Sequence, residues 1–260
     1  MQKKNTIISK LSSPLFYILL ILIWQEIYYI GTDFFQWWKP YALPNPIGVL
    51  NSIRKMAESG VLLQATAYSL KRALIGFSLS VIIGTLLGLL ISISGYCKRN
   101  LKPLLTGIQS LPSVCWVPFA ILWFGLDESA ILFVVVIGST FSVSLTIENA
   151  IHTIPPIYVK VARTMGANKF QLYKDVMIPA ALPGFLAGLK QSWSFAWRAL
   201  MSGEVMSAYV GLGYTLMTGR DIADINQVTA VMLVIILVGI LIDYVIFSNL
   251  ESHVLKKHGL

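Results

Sequence analysis

Charge is scarce in this sequence: Asp, Glu, Lys and Arg together make 12% of 260 residues, where a soluble domain carries about 25%. That scarcity speaks against a water-soluble globule. The 56% of hydrophobic residues excludes a disordered chain, because so much Leu, Ile, Val and aromatic surface buries itself at the first opportunity. Cysteine is nearly absent too, Cys97 and Cys115 standing far from any CxxC pair, and the three histidines, His152, His253 and His258, show no metal-ligand spacing. No G-x-x-x-x-G-K-[ST] phosphate cradle is present, so the chain is not expected to hydrolyse ATP. Nor does any histidine sit where it can form a dyad with a nucleophile, which argues against an intramembrane hydrolase.

Long apolar runs are what the sequence does have, with a mean hydropathy of +0.71. A helix needs about 20 apolar residues to cross the hydrocarbon of a bilayer. Six segments approach this: 12–31, 73–95, 103–124, 129–150, 180–203 and 228–250. The expectation is therefore an all-α membrane protein in which residues 1–260 form one transmembrane domain. The first run follows Lys3, Lys4 and Lys10 as a signal peptide would, but Trp24, Gln25 and Glu26 interrupt it and no small-residue cleavage site follows, so it reads as an uncleaved anchor.

The net charge of +8 does not point to nucleic acid, because the positive residues fall in short clusters between apolar runs instead of along one stripe. They read as topology signals. With both termini cytoplasmic, Lys3, Lys4, Lys10, Lys98, Arg99, Lys102, Lys160, Arg163, Lys169, Lys174, Lys256 and Lys257 lie inside, against Lys39, Arg54, Lys55, Lys71, Arg72 and Arg220 outside. In the first outer loop Asn45-Pro46 offers a cap followed by proline at the first helical position. Val49, Leu50, Ile53, Met56 and Ala57 then recur at helical spacing, which fits a helix lying on the membrane surface or one packed as a cap on the span ends. The pairs Gly84/Gly88 and Gly184/Gly188 permit close helix packing in lipid.

The loop from His152 to Leu189 is too polar to span and too punctuated to be a tether. Pro155 and Pro156 can open a helix, Ile157, Val161 and Met165 share a face, Gly166 supplies a left-handed end, and Asn168 caps a second helix that is expected to stop or bend at Pro179. In this stretch VARTMGANKFQLYKDVMIPAALP resembles the EAA loop of bacterial ABC-importer permeases. LPNPIGVL, SLKRALIGF, LPSVCWVPFAILWFG, SFAWRALMSGEV and GLGYTLMTGRD are similar to the sulfonate, taurine, nitrate and bicarbonate branch of that family.

The resemblance implies a type I ABC-importer permease fold of six transmembrane helices with a cytoplasmic coupling helix, in the inner membrane. It also implies a homodimer docked on two cytoplasmic ATP-binding subunits that take ATP-Mg, served by an extracytoplasmic substrate-binding protein, with no cofactor in this chain. Residues 152–179 become the coupling loop, and Ile157, Tyr158, Lys160, Val161, Ala162, Met165, Gly166 and Ala167 the ATPase-coupling residues. The sequence departs from the family at Lys160, which stands where the family carries glutamate.

The translocation pathway is expected among broken helices and intramembrane polar groups. Gln109, Ser110, Pro112 and Trp116 mark the third span, with Pro118 removing a second donor and Cys115 expected to react slowly inside it; Trp193, Trp197, Arg198 and Glu204 mark the fifth. Arg198 either faces a cavity and attracts anions or pairs internally with Glu204 or Asp243. The cargo implied is a small anion such as a sulfonate, taurine, nitrate or bicarbonate. The alternatives are a vitamin or pyrimidine precursor carried by the same kind of permease, a secondary transporter or channel, and a passive scaffold.

Overall fold

The structure is a computed structural model that describes residues 2–39 and 41–250, with side chains from residue 15 onward. The terminal Lys3, Lys4, Lys10, Lys256 and Lys257, with His253 and His258, lie outside the described side chains. Among the described residues there are helices, turns and no strand. In chain order the helices are α1 (Gln2–Tyr29), α2 (Pro46–Glu58), α3 (Val61–Ile93), α4 (Gly95–Gln109), α5 (Val117–Phe124), α6 (Glu128–His152), α7 (Pro156–Thr164), α8 (Lys169–Gln171), α9 (Ile178–Val205), α10 (Leu212–Asp221) and α11 (Ile225–Ile242).

The chain falls into two compact units, residues 1–64 with 215–234 and residues 65–214 with 235–260. In the first, α1 runs into a π-type turn, Ile30–Phe34, where the Thr32 hydroxyl donates to the Tyr28 carbonyl at 2.6 Å. The Asn45 side chain caps α2 by accepting from the Ile47 N–H at 3.0 Å, with Pro46 inside the first turn. The backbone N–H of Asn45 donates to Asn226 Oδ1 at 2.9 Å, and the same side chain fills the space over Gly48, where a Cβ would lie 2.7 Å from its Nδ2. These contacts tie α2 to the chain at the start of α11, which favours the packed cap over a helix floating on lipid. Val49 and Met56 are buried accordingly, while Leu50 and Ala57 stay exposed.

The second unit is built on two seams. From residue 65 onward α3 lays Gly76, Ser80, Gly84 and Gly88, one per turn, against α6. A Cβ on Gly84 would come within 2.6 Å of Val143 and one on Gly88 within 2.6 Å of Ile147 and the Ser144 carbonyl. Ser80 and Ser139 bridge this seam with hydroxyls 2.7 Å apart. On its other side α6 meets α9, with Gly138 against Ala199, Gly188 against Thr146, and Ser142 and Ser192 hydroxyls 2.9 Å apart. Such small residues bring backbones close where lipid offers no hydrophobic drive. Gly184 is looser, with Ala150 3.7 Å from where a Cβ would sit.

Among the described residues four helical stretches are long and apolar enough to cross a membrane, 15–34, 61–93, 128–152 and 225–248. The second begins at Val61, ahead of the expected residue 73, because Ser69 and Arg72 are buried within it instead of lying in a loop. The expected 103–124 span is not one straight helix: the helical pieces 95–109 and 113–124 meet at 99° across residues 110–112. The prolines explain the break. Pro112 is extended (φ −56°, ψ 137°) ahead of the 3-10 turn Ser113–Trp116, and Pro118 falls in the first turn of α5, where a missing N–H costs nothing. Cys115, expected inside the third span, stands exposed on the turn at this break. The expected 180–203 segment lies within α9, whose Lys190, Gln191, Ser194, Arg198 and Glu204 make it more polar than those four.

The second helix of the loop does not stop at Pro179. Leu172–Met177 form π-type turns that lead directly into α9, with Pro179 in its first turn and Pro183 inside it. Widened turns accommodate the donors that the prolines lack.

Candidate functional site

The break between α4 and α5 borders an open cavity of about 390 Å3, walled also by α6 and α9. Gln109, Ser110, Pro112 and Trp116 line it, together with Arg198 and Ser202 of α9. The geometry of α9 explains why. Gly184, Ala187, Gln191, Ser194 and Arg198 recur at helical spacing along its exposed side, while Ser192, Trp193, Ala196, Trp197, Leu200 and Glu204 pack inward. A stripe of small and polar residues on a membrane helix suits water or protein better than lipid.

Among the described residues Arg198 has no acidic partner. Its Nε donates to the Ser194 carbonyl at 3.2 Å and its guanidinium lies 4.7 Å from the Phe195 ring centre. Both carboxylates proposed as internal partners are engaged elsewhere: Asp243 pairs with Lys190 at 3.0 Å, and Glu204 with Arg72 at 2.8 Å. Among residues lining the cavity, Arg198 is the one charged side chain.

Trp193, Trp197 and Glu204, expected on the pathway, do not line this cavity. Trp193 is 3% exposed, stacks against Trp197 with ring centres 6.3 Å apart and meets the edge of Phe77 at 5.2 Å. The two tryptophans belong to the bundle core, on the opposite face of α9 from Arg198.

Glu204 is the centre of a buried network. Ser69 Oγ lies 2.7 Å from its Oε2, Arg72 donates to Oε1, and the Gly213 N–H donates to Oε2 at 3.0 Å. Arg72 continues to Glu128 at 2.7 Å and to the Val210 carbonyl at 2.9 Å. Gly211 and Gly213 are glycines because the chain presses on this carboxylate: a Cβ on Gly213 would lie 2.6 Å from Glu204 Cβ. Sequence reasoning placed Arg72 among outer-loop cations, yet it is 3% exposed. The helical spacing of Ser69, Arg72 and Gly76 was the available signal. Glu148 was also missed; it is 1% exposed and held by Lys98 at 3.2 Å and Lys102 at 2.5 Å.

At the N-terminal end of α6 Asp127 serves as its cap. Its carboxylate accepts from the Ser129 hydroxyl at 2.7 Å and from the Tyr209 hydroxyl at 2.8 Å. These bonds, Ser129 first and Tyr209 second, hold its pKa down at about 2, and the same anion raises that of Tyr209.

The loop after α6 forms a second surface. Pro156 opens α7, and Gly166 ends it at φ +83°, with its N–H donating to the Arg163 carbonyl and that of Ala167 to the Ala162 carbonyl, each at 3.0 Å. This is a Schellman closure, in which only glycine is unstrained at the left-handed position. Asn168 and Gln171 cap the next turn reciprocally. Ala162 is buried; Ile157, Tyr158, Val161 and Met165 are all about half exposed or more, Met165 at 82%, and Lys160 is exposed beside them.

Residues 80–254 match the family described as the binding-protein-dependent transport system inner membrane component. A protein of Bacillus subtilis named as an aliphatic sulfonates transport permease, SsuC, is 31% identical over 91% of this chain and 84% of its own length. The formylaminopyrimidine transport permease ThiX of Halalkalibacterium halodurans is 30% identical over 93% and 94%. A nitrate import permease, NrtB, of Synechocystis is 26% identical over 81% and 79%. Among solved structures, a chain of the inward-facing MetNI methionine ABC transporter aligns with a TM-score of 0.64 at 20% identity, covering 75% of this chain and 96% of that one, a likeness of fold.

Proposed function

The chain belongs to the binding-protein-dependent transport system inner membrane components and is the permease subunit of an ABC importer, and from that premise we propose that it carries a small anion through the cavity beside Arg198. The observation that carries this reading is that Arg198 is the one charged residue lining the cavity, with the nearby carboxylates already paired to Lys190 and Arg72. An uncompensated guanidinium costs at least about 2.5 kcal/mol near a bilayer centre, a cost that an anionic cargo and water offset. Sulfonates, taurine, nitrate and bicarbonate fit that charge. A vitamin or pyrimidine precursor is the second reading, favoured by the likeness to the formylaminopyrimidine permease.

In this reading the chain crosses the membrane six times with both termini cytoplasmic, the α4–α5 pair and α9 serving as third and fifth crossings. Two copies form the pathway, two ATP-binding subunits supply energy from ATP-Mg, and an extracytoplasmic binding protein delivers cargo. No catalysis takes place in this chain. The exposed face of Ile157, Tyr158, Val161 and Met165 docks in a groove of the ATPase, with Lys160, Ala162 and Ala167 fixing the loop. Gly166→Val tests it: valine resists the left-handed backbone and distorts the loop, so cargo-stimulated ATP hydrolysis is expected to fall to its basal rate. Unaltered stimulation in that variant would sink the coupling assignment. Orientation is tested at half-buried Cys97, where an impermeant thiol reagent is expected to label inside-out vesicles and leave intact cells unlabelled.

A further inference from the structure

We infer that Glu148 is a positioning residue for transport: by holding Lys98 and Lys102 it fastens α4 to the C-terminal end of α6, so that a displacement of α7 reaches the cavity wall at Gln109 and Ser110 through α4. This role rests on the docking of α7 on the ATPase proposed above and adds the route by which that motion arrives. Glu148 lies four residues before the end of α6 at His152 and is 1% exposed. Each of its oxygens has its own lysine, Oε1 with Lys98 at 3.2 Å and Oε2 with Lys102 at 2.5 Å. Lys98 and Lys102 are four residues apart on α4, so they stand one turn from each other on the same face. A buried carboxylate is costly to leave unpaired, and here both partners come from one neighbouring helix. Sliding α4 along α6, or swinging it away, strands that charge.

The tie is one end of a longer seam. Beyond it Leu101 and Leu105 of α4 pack with Phe141 and Leu145 of α6 and with Ile91 of α3. Lys98, Leu101, Lys102, Leu105 and Ile108 recur at helical spacing along α4, as Glu148, Leu145 and Phe141 do along α6. Ile108 and Phe141 themselves line the cavity, so the seam runs from the carboxylate to the cavity. At its other end residues 153–155 join α6 to α7, with Ile154 buried and Pro155 and Pro156 stiffening the step. Past Gln109 the chain turns by 99° into the piece 113–124, so the lever ends at the cavity. Packed helices shift as rigid bodies. A displacement of α7 therefore passes to α6, from α6 to α4 at Glu148, and from α4 to Gln109 and Ser110.

The test uses the complete transporter in nanodiscs, with Cys97→Ser and Cys115→Ser so that introduced thiols stand alone. Spin labels on Thr106→Cys of α4 and Asn149→Cys of α6, both exposed positions, report the distance between the two helices by electron spin resonance with Glu148 in place. The expected result is one and the same distance without nucleotide and after trapping with ATP and orthovanadate. Separately, Ser110→Cys is labelled with a charged methanethiosulfonate reagent, and its rate is expected to differ between those two states by at least about fivefold, the low end of coupling between linked sites. Glu148→Gln removes the buried charge and leaves lysines that are 39% and 32% exposed and reach water, so assembly and nucleotide trapping are expected to persist. In that variant the two labelling rates are expected to converge, and Glu148→Asp, which keeps the charge, to restore part of the difference. A distance that shifts on trapping, a wild-type Ser110→Cys rate that ignores nucleotide, or a Glu148→Gln transporter whose labelling response equals the wild type's overturns the role. If Glu148→Gln fails to assemble, the distance decides: unchanged, it supports the role; shifted, it overturns it. Gly166→Val separates this route from the reading it rests on. Loss of the labelling response there with an intact response in Glu148→Gln removes only the route through α4, and an intact response in Gly166→Val overturns the docking of α7 as well.

Discussion

Arg198 and Glu204 stand less than two turns apart on the same helix, yet their surroundings are opposite. Around Glu204 every strong group is answered: Ser69, Arg72 and the Gly213 N–H converge on the carboxylate, and Arg72 goes on to Glu128 and Val210. Around Arg198 there is a carbonyl, an aromatic ring and an open cavity. Both are ionisable groups inside a hydrophobic chain, and the difference is whether their partners exhaust them. A charge that the fold satisfies holds elements together, here the ends of α3 and α9 and the start of α10. A charge that the fold leaves over is available to something that comes and goes.

The largest effect should come from breaking the satisfied side. Arg72→Gln removes the guanidinium that faces Glu204, and an uncompensated buried carboxylate typically costs about 3–5 kcal/mol. The expected outcome is little assembled complex by size exclusion and a sharply lower unfolding midpoint. Adding Glu204→Gln should recover much of the loss, because two neutral side chains leave no orphan charge. Full assembly of the Arg72→Gln single variant would show that the network is not structural and would erase the contrast with Arg198.

The next effect lies on the unsatisfied side and takes the opposite form. Arg198→Gln strands no carboxylate, since Glu204 and Asp243 keep Arg72 and Lys190. Assembly and unfolding midpoint are therefore expected to match the wild type, while anion uptake falls about tenfold, a change of ~1.4 kcal/mol. Poor assembly of Arg198→Gln would place the residue in the structural class instead.

How far the sequence carried this contrast depends on the residue. Helices, the punctuated loop and its end at Gly166 are legible because proline, glycine and asparagine act locally on the backbone. The cavity residues Gln109, Ser110, Pro112 and Trp116 are legible for the same reason, since two prolines in an apolar run announce a break. Trp193 and Trp197 misled because a helical turn between aromatics identifies a face without saying which neighbour it meets. Arg72 and Glu148 were hidden by their position near the ends of apolar runs, where a loop charge and a buried charge look alike in sequence. Only the third dimension brings Glu204 within 2.8 Å of a residue 132 positions away.

Between the extremes lies the pair Lys190 and Asp243, both 38% exposed by side chain. Water reaches both partners and each can find other hydration, so an ion pair of this kind contributes about 0–1 kcal/mol. Lys190→Met is expected to leave uptake intact and to lower the unfolding midpoint only slightly. A loss as large as that of Arg72→Gln would mean that exposure does not rank these charges, and the comparison would need another basis.

The smallest effect is expected at Asp127, a fully exposed member of the satisfied class. Its carboxyl sits at about 2 against an ordinary 3.8, through the Ser129 bonds first and the Tyr209 hydroxyl second. Since the folded value is the lower one, whatever stability this group contributes is fully present above pH 3.8 and is lost as pH falls through about 2. Nothing should change near neutrality. Tyr209→Phe removes one of the two side-chain donors, so the protonation midpoint of Asp127 should climb part of the way toward 3.8 while the Ser129 bonds remain. Infrared spectra of complex labelled with 13C-carboxyl aspartate, with the band assigned by its disappearance in Asp127→Asn, report that midpoint directly. A midpoint that stays put in Tyr209→Phe would mean that Tyr209 merely lies beside the carboxylate. A midpoint that reaches 3.8 would mean that the capping bonds from Ser129 contribute nothing, against their place as the leading cause of the shift.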